Sequence, residues 1–389
     1  MFDRTIGDVM INSIKNSEVF CKENLYEEFL RLCDFSKPVV LYGVGAGVVW
    51  YIKLLERKGI IISCLCDSSV NEKNKHYSWK DEKGKEHRYP LCSLQEIYLK
   101  YGKCNFVISA PRHRESIKKI IQQIPHEKIY VFDAAPIVIQ NREPSVYKEY
   151  FKSNVVLFEK VFLSMTDDLS KKTMKNCIYG YVTSNCDYFM NTASDSQYFP
   201  DIIKEILSDK EVFVDVGAYD GDSLEEFINS VNEKFKKVIA FEPDIYNYGI
   251  GKNKFQDERI FFYPYGCSEN EESAYIIHEN GDNADEGAYV QREVNEIIGN
   301  KIQLIKLDDF IKEEVTYIKM DIEGMELTAL KGSRNIIKKY KPKLAISIYH
   351  KMEDMVEIIE YIRSLNSTYK FYMRHFWDCN GTDVILFAI

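Results

Sequence analysis

The sequence has no apolar run approaching the roughly 20 residues that a helix needs to cross a bilayer. No integral membrane segment is therefore expected. The N-terminus also lacks the pattern of a secretory signal, so the expected location is the cytoplasm. There is no basic excess: 51 Lys and Arg stand against 60 Asp and Glu, a net charge of −9. With no basic cluster beyond an ordinary solvated helix face, no nucleic-acid partner is expected. The 10 cysteines are scattered. The only close pair, Cys64 and Cys66, are alternate residues of one expected strand, and no second pair completes a zinc site. Reduced thiols are the expectation. No glycine-serine linker divides the chain. What remains is ordinary: 389 residues, 45% hydrophobic and 29% charged, enough for two globular domains.

Residues 211–222, EVFVDVGAYDGD, carry the most information. Val212 to Val216 reads as a buried parallel strand, followed by the glycine turn 217–221 and a helix from 223, with Asp222 as the expected N-cap. A strand, a glycine turn and a helix bring backbone N–H groups close to a nucleotide-like ligand. Glu242 ends the next strand, about 20 residues on, where an acid hydrogen-bonds ribose hydroxyls. The spacing D-x-G-x-x-x-G differs from the dinucleotide fingerprint and suits a ligand without phosphates, such as S-adenosylmethionine. The expected cofactor contacts are Asp215, Gly217, Ala218, Tyr219, Asp220, Gly221 and Glu242.

Further strand-like runs lie at 259–264, 315–320, 343–349, 369–374 and 383–389, with helical patterns at 323–339 and 352–365. Their alternation predicts a doubly wound parallel sheet. A short Asn380-Gly381 turn between the last two runs predicts an antiparallel final pair. This is the arrangement of class I methyltransferases. The N-terminal part reads as a second doubly wound α/β unit: helical over 1–35, strands at 39–42, 60–66, 105–109 and 129–132, and a helix from about 114. Gly43, Gly45, Gly47 and Asp67 imitate a dinucleotide fingerprint, but Val48 stands at the third glycine position. The unit loosely resembles the N-terminal domains of sugar-acyltransferase and sugar-nucleotide proteins, so a sugar-nucleotide site there and a fold that has lost its ligand are both open. Residues 81–88 read as a solvated charged loop. The expected division is an α/β unit over 1–135, a packed helical connection over 136–200 and a catalytic domain over 201–389.

Five blocks in the last half of the chain resemble the FkbM-type methyltransferases: 211–222, 240–244 (AFEPD), 302–310 (IQLIKLDDF), 317–333 (YIKMDIEGMELTALKGS) and 343–350 (KLAISIYH). The resemblance implies O-methyl transfer from S-adenosylmethionine, commonly to sugar hydroxyls of glycans. It also implies that the lead-in 195–199 (DSQYF) folds over the cofactor, making Gln197 and Tyr198 candidate contacts.

The chemistry needs the acceptor oxygen held behind the methyl carbon and a base for its proton. The carboxyl ends of the central strands offer Asp321, Glu323 and His350. His350 is the first choice for the base because an imidazole titrates near neutrality. Asp321 or Glu323 would orient it. The same three groups could instead hold a divalent ion, although the preferred reading has no metal. Lys319 is expected on the strand face opposite Asp321, still able to reach cofactor or acceptor. Glu326 is expected as a solvent-side helix charge. Arg374 and His375, ending a strand, are candidates for an anionic acceptor group. An insertion at 270–300, with a hairpin turn at Asn280-Gly281, is expected to shape the acceptor site. Two other classes stand beside this one: a nucleotide-binding sugar oxidoreductase, although the N-terminal unit has no evident Tyr-x-x-x-Lys, and a non-enzymatic scaffold for glycan enzymes. Homo-oligomerisation is left open.

Overall fold

The computed structural model describes residues 22–389 apart from residues 46, 71–73, 82–84, 191, 195, 279–287, 292–298 and 377–379. Its N-terminal part holds β1 (Val39–Tyr42), β2 (Ile62–Cys66), β3 (His76–Lys80), β4 (Glu86–Cys92), β5 (Asn105–Ile108) and β6 (Ile129–Tyr130) in one sheet of order β3-β4-β2-β1-β5-β6. All neighbours are parallel except β3, which is antiparallel to β4. The β3–β4 hairpin corrects the expected charged loop, since Glu86, His87 and Arg88 lie in β4. Alternating exposure along HYSWK shows why β3 escapes notice: only one of its faces is covered. The helix expected over 1–35 is seen as Leu25–Leu32, while residues 1–21 lie outside the described residues.

The C-terminal half is built on β7 (Val212–Val216), β8 (Lys237–Phe241) and β9 (Ile260–Tyr263). A smaller sheet follows, of β10 (Tyr265–Cys267), β11 (Glu272–His278), β12 (Ala288–Gln291) and β13 (Asn300–Ile305), in the order β10-β13-β11-β12. The main sheet resumes with β14 (Tyr317–Met320), β15 (Lys343–Ser347), β16 (Phe371–His375) and β17 (Val384–Ala388). Its order is β16-β17-β15-β14-β7-β8-β9. Every pair is parallel except those of β17, which runs antiparallel to both β15 and β16. Two doubly wound α/β units are therefore present, the second with a mostly parallel sheet and an antiparallel last strand.

Side-chain alternation explains why this sheet is buried on both faces. Val214, Val216, Ile318, Met320, Leu344 and Ile346 enter one core, and Phe213, Tyr317, Ala345 and Phe387 enter another. Each large side chain contributes about 1.5–3 kcal/mol by leaving water. The helices between the sheets, from Ala135–Ile139 through Asp168–Thr183, pack Tyr147, Phe151, Phe158 and Phe162 into the first of these cores.

Several local expectations need correction. Gly221 at φ +88°, not Asp222, caps the helix Asp222–Ser230. The helix expected over 323–339 is two, Glu326–Gly332 and Arg334–Tyr340. A Cβ on Gly332 would lie 2.0 Å from the carbonyl oxygen of Ser268, so the break marks a close crossing of two backbones. The connection from β16 to β17 is not a two-residue turn: pairing ends at His375–Val384. In the 270–300 insertion, β11 and β12 form an antiparallel pair, but the turn at Asn280-Gly281 lies outside the described residues.

The two units are tied together near the ends of their sheets. Asp133 Oδ2 accepts the Gly381 N–H at 2.8 Å, Gln140 Nε2 donates to the Tyr349 carbonyl at 2.8 Å, and Arg142 pairs with Glu353 at 2.6 Å.

Candidate active site

The carboxyl ends of both large sheets open onto one cleft of about 1570 Å³. On the C-terminal side its wall begins at the turn after β7. Gly217 takes φ +81°, and a Cβ there would lie 1.9 Å from the Asp321 carbonyl oxygen. Only glycine lets the loop pass so close to the end of β14. Its N–H and that of Ala218 both donate to the Phe241 carbonyl at 3.0 Å. Tyr219 follows with φ 48°, a left-handed conformation unusual for a bulky residue. Glu242, at the end of β8, holds this loop: its Oε2 accepts the Tyr219 N–H at 2.9 Å and its Oε1 accepts the Asp244 N–H at 2.8 Å. Burial raises its carboxyl to about 7. Each oxygen keeps a second lone pair, so the carboxylate can still accept from a ligand.

The expected cofactor residues therefore divide. Gln197, Tyr198, Gly217, Tyr219 and Glu242 line the cleft. Asp215, Ala218, Asp220 and Gly221 do not. Asp215 is fully buried, accepts from Ser223 Oγ at 2.6 Å, and lies 3.0 Å from Lys319 Nζ. It shapes the loop from beneath. Lys319 corrects the expected facing. It is paired in register with Asp215, its ammonium sits 4.9 Å over the Tyr198 ring, and Tyr198 in turn donates to Asp321 Oδ2 at 2.5 Å. Lys319 and Asp321 thus serve the same side. Burial works to discharge Lys319, but Asp215 and then Asp321 outweigh it and keep it cationic.

At the ends of β14 and β15, His350 lies among carboxylates. It is 5% exposed, with Nδ1 3.0 Å from Glu326 Oε1 and Nε2 3.3 Å from Glu323 Oε2 and 3.6 Å from Asp321 Oδ1. Glu326 corrects the expected solvent-side charge. It is fully buried and accepts the N–H groups of Ile322 at 2.9 Å and Gly324 at 3.3 Å. The expectation of an imidazole titrating near neutrality also changes. Burial lowers the ring's pKa, but Glu326 and then Glu323 outweigh it and hold it well above the ordinary value, so His350 is an imidazolium. Among the described residues, the three donors close enough to share a cation are Asp321, Glu326 and His350, their atoms within 4.8 Å of one another. Glu326 stands in that group where Glu323 was expected.

Asp383 was not anticipated. It lines the cleft, accepts from Gln197 Nε2 and Thr382 Oγ1 at 2.8 Å each, and takes φ 54°. Burial, then Asp321, raises its carboxyl to about 7. With Asn141, Tyr219 and Glu323, also at positive φ, it puts four strained non-glycine residues around one cleft. Arg374 and His375 lie elsewhere. Arg374 pairs with Asp167 at 2.6 Å and donates to Ser170 Oγ at 2.9 Å, while His375 Nε2 sits 2.7 Å from the Asn380 carbonyl, and neither lines the cleft. Both are structural, because β17 lies between β16 and the centre of the sheet.

A glycine loop, an acid after the second strand and a sheet with one antiparallel member are methyltransferase features, and residues 215–369 match the family model of the methyltransferase FkbM domain. The chain carries an FkbM methyltransferase domain. The fold of the whole chain is similar to the crystal structure of methyltransferase FkbM from Methylobacillus flagellatus KT, at 22% identity and a TM-score of 0.72, covering 99% of this chain and 100% of that one. An rRNA methylase from Streptococcus thermophilus is similar over 48% of this chain and 91% of its own, at 18% identity and a TM-score of 0.31. Among curated proteins none matches. The likeness to the first structure is one of fold, and it takes in the N-terminal unit as well as the methyltransferase domain.

Proposed function

We propose that the methyltransferase domain uses S-adenosylmethionine to methylate a hydroxyl of a sugar or glycan. The observation that carries this reading is the Gly217–Tyr219 loop held by Glu242 at the rim of a cleft whose catalytic wall is acidic. The residues fit the cofactor. The loop has no Cβ at its tightest point, and the Glu242 carboxylate, fixed by two backbone N–H groups, retains lone pairs for ribose hydroxyls. When bound, the cofactor supplies a methyl group on a cationic sulfonium. Asp321, Glu323 and Asp383 give that side of the cleft a negative field that favours a cation.

The protein's part is to position the acceptor and take its proton. His350 is held charged, so at neutral pH it acts as a hydrogen-bond donor near the acceptor oxygen. The proton goes to a carboxylate. Asp383, near 7, is matched to accept and release a proton at neutral pH, and Asp321 stands beside it. Glu323 balances the His350 charge. The small sheet β10–β13 contributes Ile276, Val290 and Leu304 to the cleft, in support of a role for the insertion in acceptor choice.

Calorimetric titration with S-adenosylmethionine tests the cofactor. Glu242→Ala should weaken binding by about 1.5–3 kcal/mol, the scale of hydrogen bonds to a charged group. Unchanged affinity in the folded variant sinks the assignment. Mass spectrometry of glycan isolated with and without the protein tests the acceptor, and absence of a methyl difference counts against it.

A further inference from the structure

The cleft is larger than a cofactor and a small acceptor need. Single small-molecule pockets run to roughly 300–1,000 Å³, whereas this one is about 1570 Å³ and continues onto the N-terminal unit. There its wall is the carboxyl end of a second parallel sheet. Gly45 and Gly47 follow β1, and Ser109 to Arg112 follow β5. Open α/β sheets bind ligands at that edge.

This second wall is built for contact. Gly43 takes φ +108°, and a Cβ on it would lie 2.4 Å from that of Ala110, so the loop must turn tightly there. The Val44 N–H is held by Asp67 Oδ2 at 2.9 Å, which fixes the loop from below. Above Gly45 the space is open, with no atom within 4 Å of where its Cβ would be. Gln140 is 9% exposed, lines the cleft where the two units meet, and its Oε1 has no hydrogen-bond partner. A buried amide oxygen of this kind costs free energy unless a ligand donor meets it. The charge also differs from wall to wall. The catalytic side is mostly acidic, whereas on the N-terminal side Lys53, Arg57, Arg112 and Arg142 offset Glu56, Asp81 and Asp133. Trp79, stacked on His87 at 4.6 Å, adds a flat aromatic surface.

We propose that the N-terminal wall binds a phosphate ester, so that the acceptor is a sugar carrying a phosphate: its anionic end lies over Gly45 near Arg112, and its hydroxyl reaches toward Asp321 and His350. The transfer end of this assignment rests on the function proposed above, but the phosphate end does not. The ties through Asp133, Gln140 and Arg142 hold the two walls in one register, so the distance from phosphate to hydroxyl becomes a criterion of substrate choice.

The test is calorimetry on the full chain with uridine diphosphate, glucose 1-phosphate and, separately, S-adenosylmethionine. Saturable binding of either phosphate probe is expected. Gly45→Val, which meets no neighbour, should weaken it by about tenfold or more, the equivalent of 1.4 kcal/mol, with melting temperature and S-adenosylmethionine affinity unchanged. Arg112→Gln should weaken it and flatten its salt dependence. Binding of uridine diphosphate alone supports a nucleotide-linked sugar, and binding of both supports a simple phosphate ester. If neither binds to a protein that takes up S-adenosylmethionine, or if Gly45→Val and Arg112→Gln leave the affinity intact, the proposal is overturned. Phosphate binding without S-adenosylmethionine binding would instead refute the proposed transfer reaction and leave the phosphate site standing.

Discussion

Replacing Glu326 by Gln changes one charge at the centre of the site and little of its shape. The side chain is fully buried, 3.0 Å from His350 Nδ1, and its Oε1 also accepts two backbone N–H groups. Glutamine can keep those two bonds, so the loss is electrostatic. Breaking a buried pair by removing one partner costs about 3–5 kcal/mol, and because His350 can shed its proton the lower end is expected. The sign of the pH dependence follows from the two pKa shifts. His350 is raised in the folded protein, so its contribution is fully present below the ordinary 6.5 and is lost as pH rises through the folded value. Glu326 is lowered although burial, its largest influence, opposes this; His350 and the backbone N–H groups prevail. Its contribution is present above the ordinary 4.5 and is lost as pH falls through the folded value. The destabilisation should therefore be largest near pH 6 and shrink as pH rises. Urea unfolding of both proteins between pH 5 and 10 measures it. A difference in stability that stays constant over that range, or a His350 ring that titrates at the same pH in both proteins by NMR, would refute the pairing.

Three further outcomes are expected. Lys319→Met leaves Asp215 buried without its partner and should cost about 3–5 kcal/mol; the double variant with Asp215→Asn should recover much of it, and a double variant as unstable as the single one contradicts the pairing. Asp383→Asn should lower kcat by about 10²–10⁴ and abolish the rise in rate with pH through about 7 that is expected of the wild type; an unchanged profile removes Asp383 from the proton path. Gly217→Ala, at φ +81° and 1.9 Å from a carbonyl oxygen, should cost about 1–3 kcal/mol of backbone strain alone and abolish cofactor binding, whereas a normal melting temperature would show that the loop is looser than described.

The sequence by itself determined the two α/β units and the glycine loop after β7. Their signals are local: a run such as Val212 to Val216, buried on both faces, is apolar throughout, and the turn after it needs glycine whatever surrounds it. Glu242 was legible for the same reason, since it follows its strand at the distance one helix spans. Only the tertiary structure decided what the charged residues do. Glu326 sits three residues from Glu323 on a polar-looking helix start, and nothing local indicates that His350, just beyond the next strand, covers it. His350 itself was found, but its charge depends on carboxylates brought in from the β14–helix turn. Arg374 was assigned to the site because it ends a strand, yet β17 inserts between β16 and the centre and moves it out. The same insertion brings Asp383 in. Because β17 runs antiparallel, the residues before it, not those after it, lie at the carboxyl edge of the sheet where the cleft is. Strand direction and order are set by long-range packing, so the site's charges came into view only once the chain was folded.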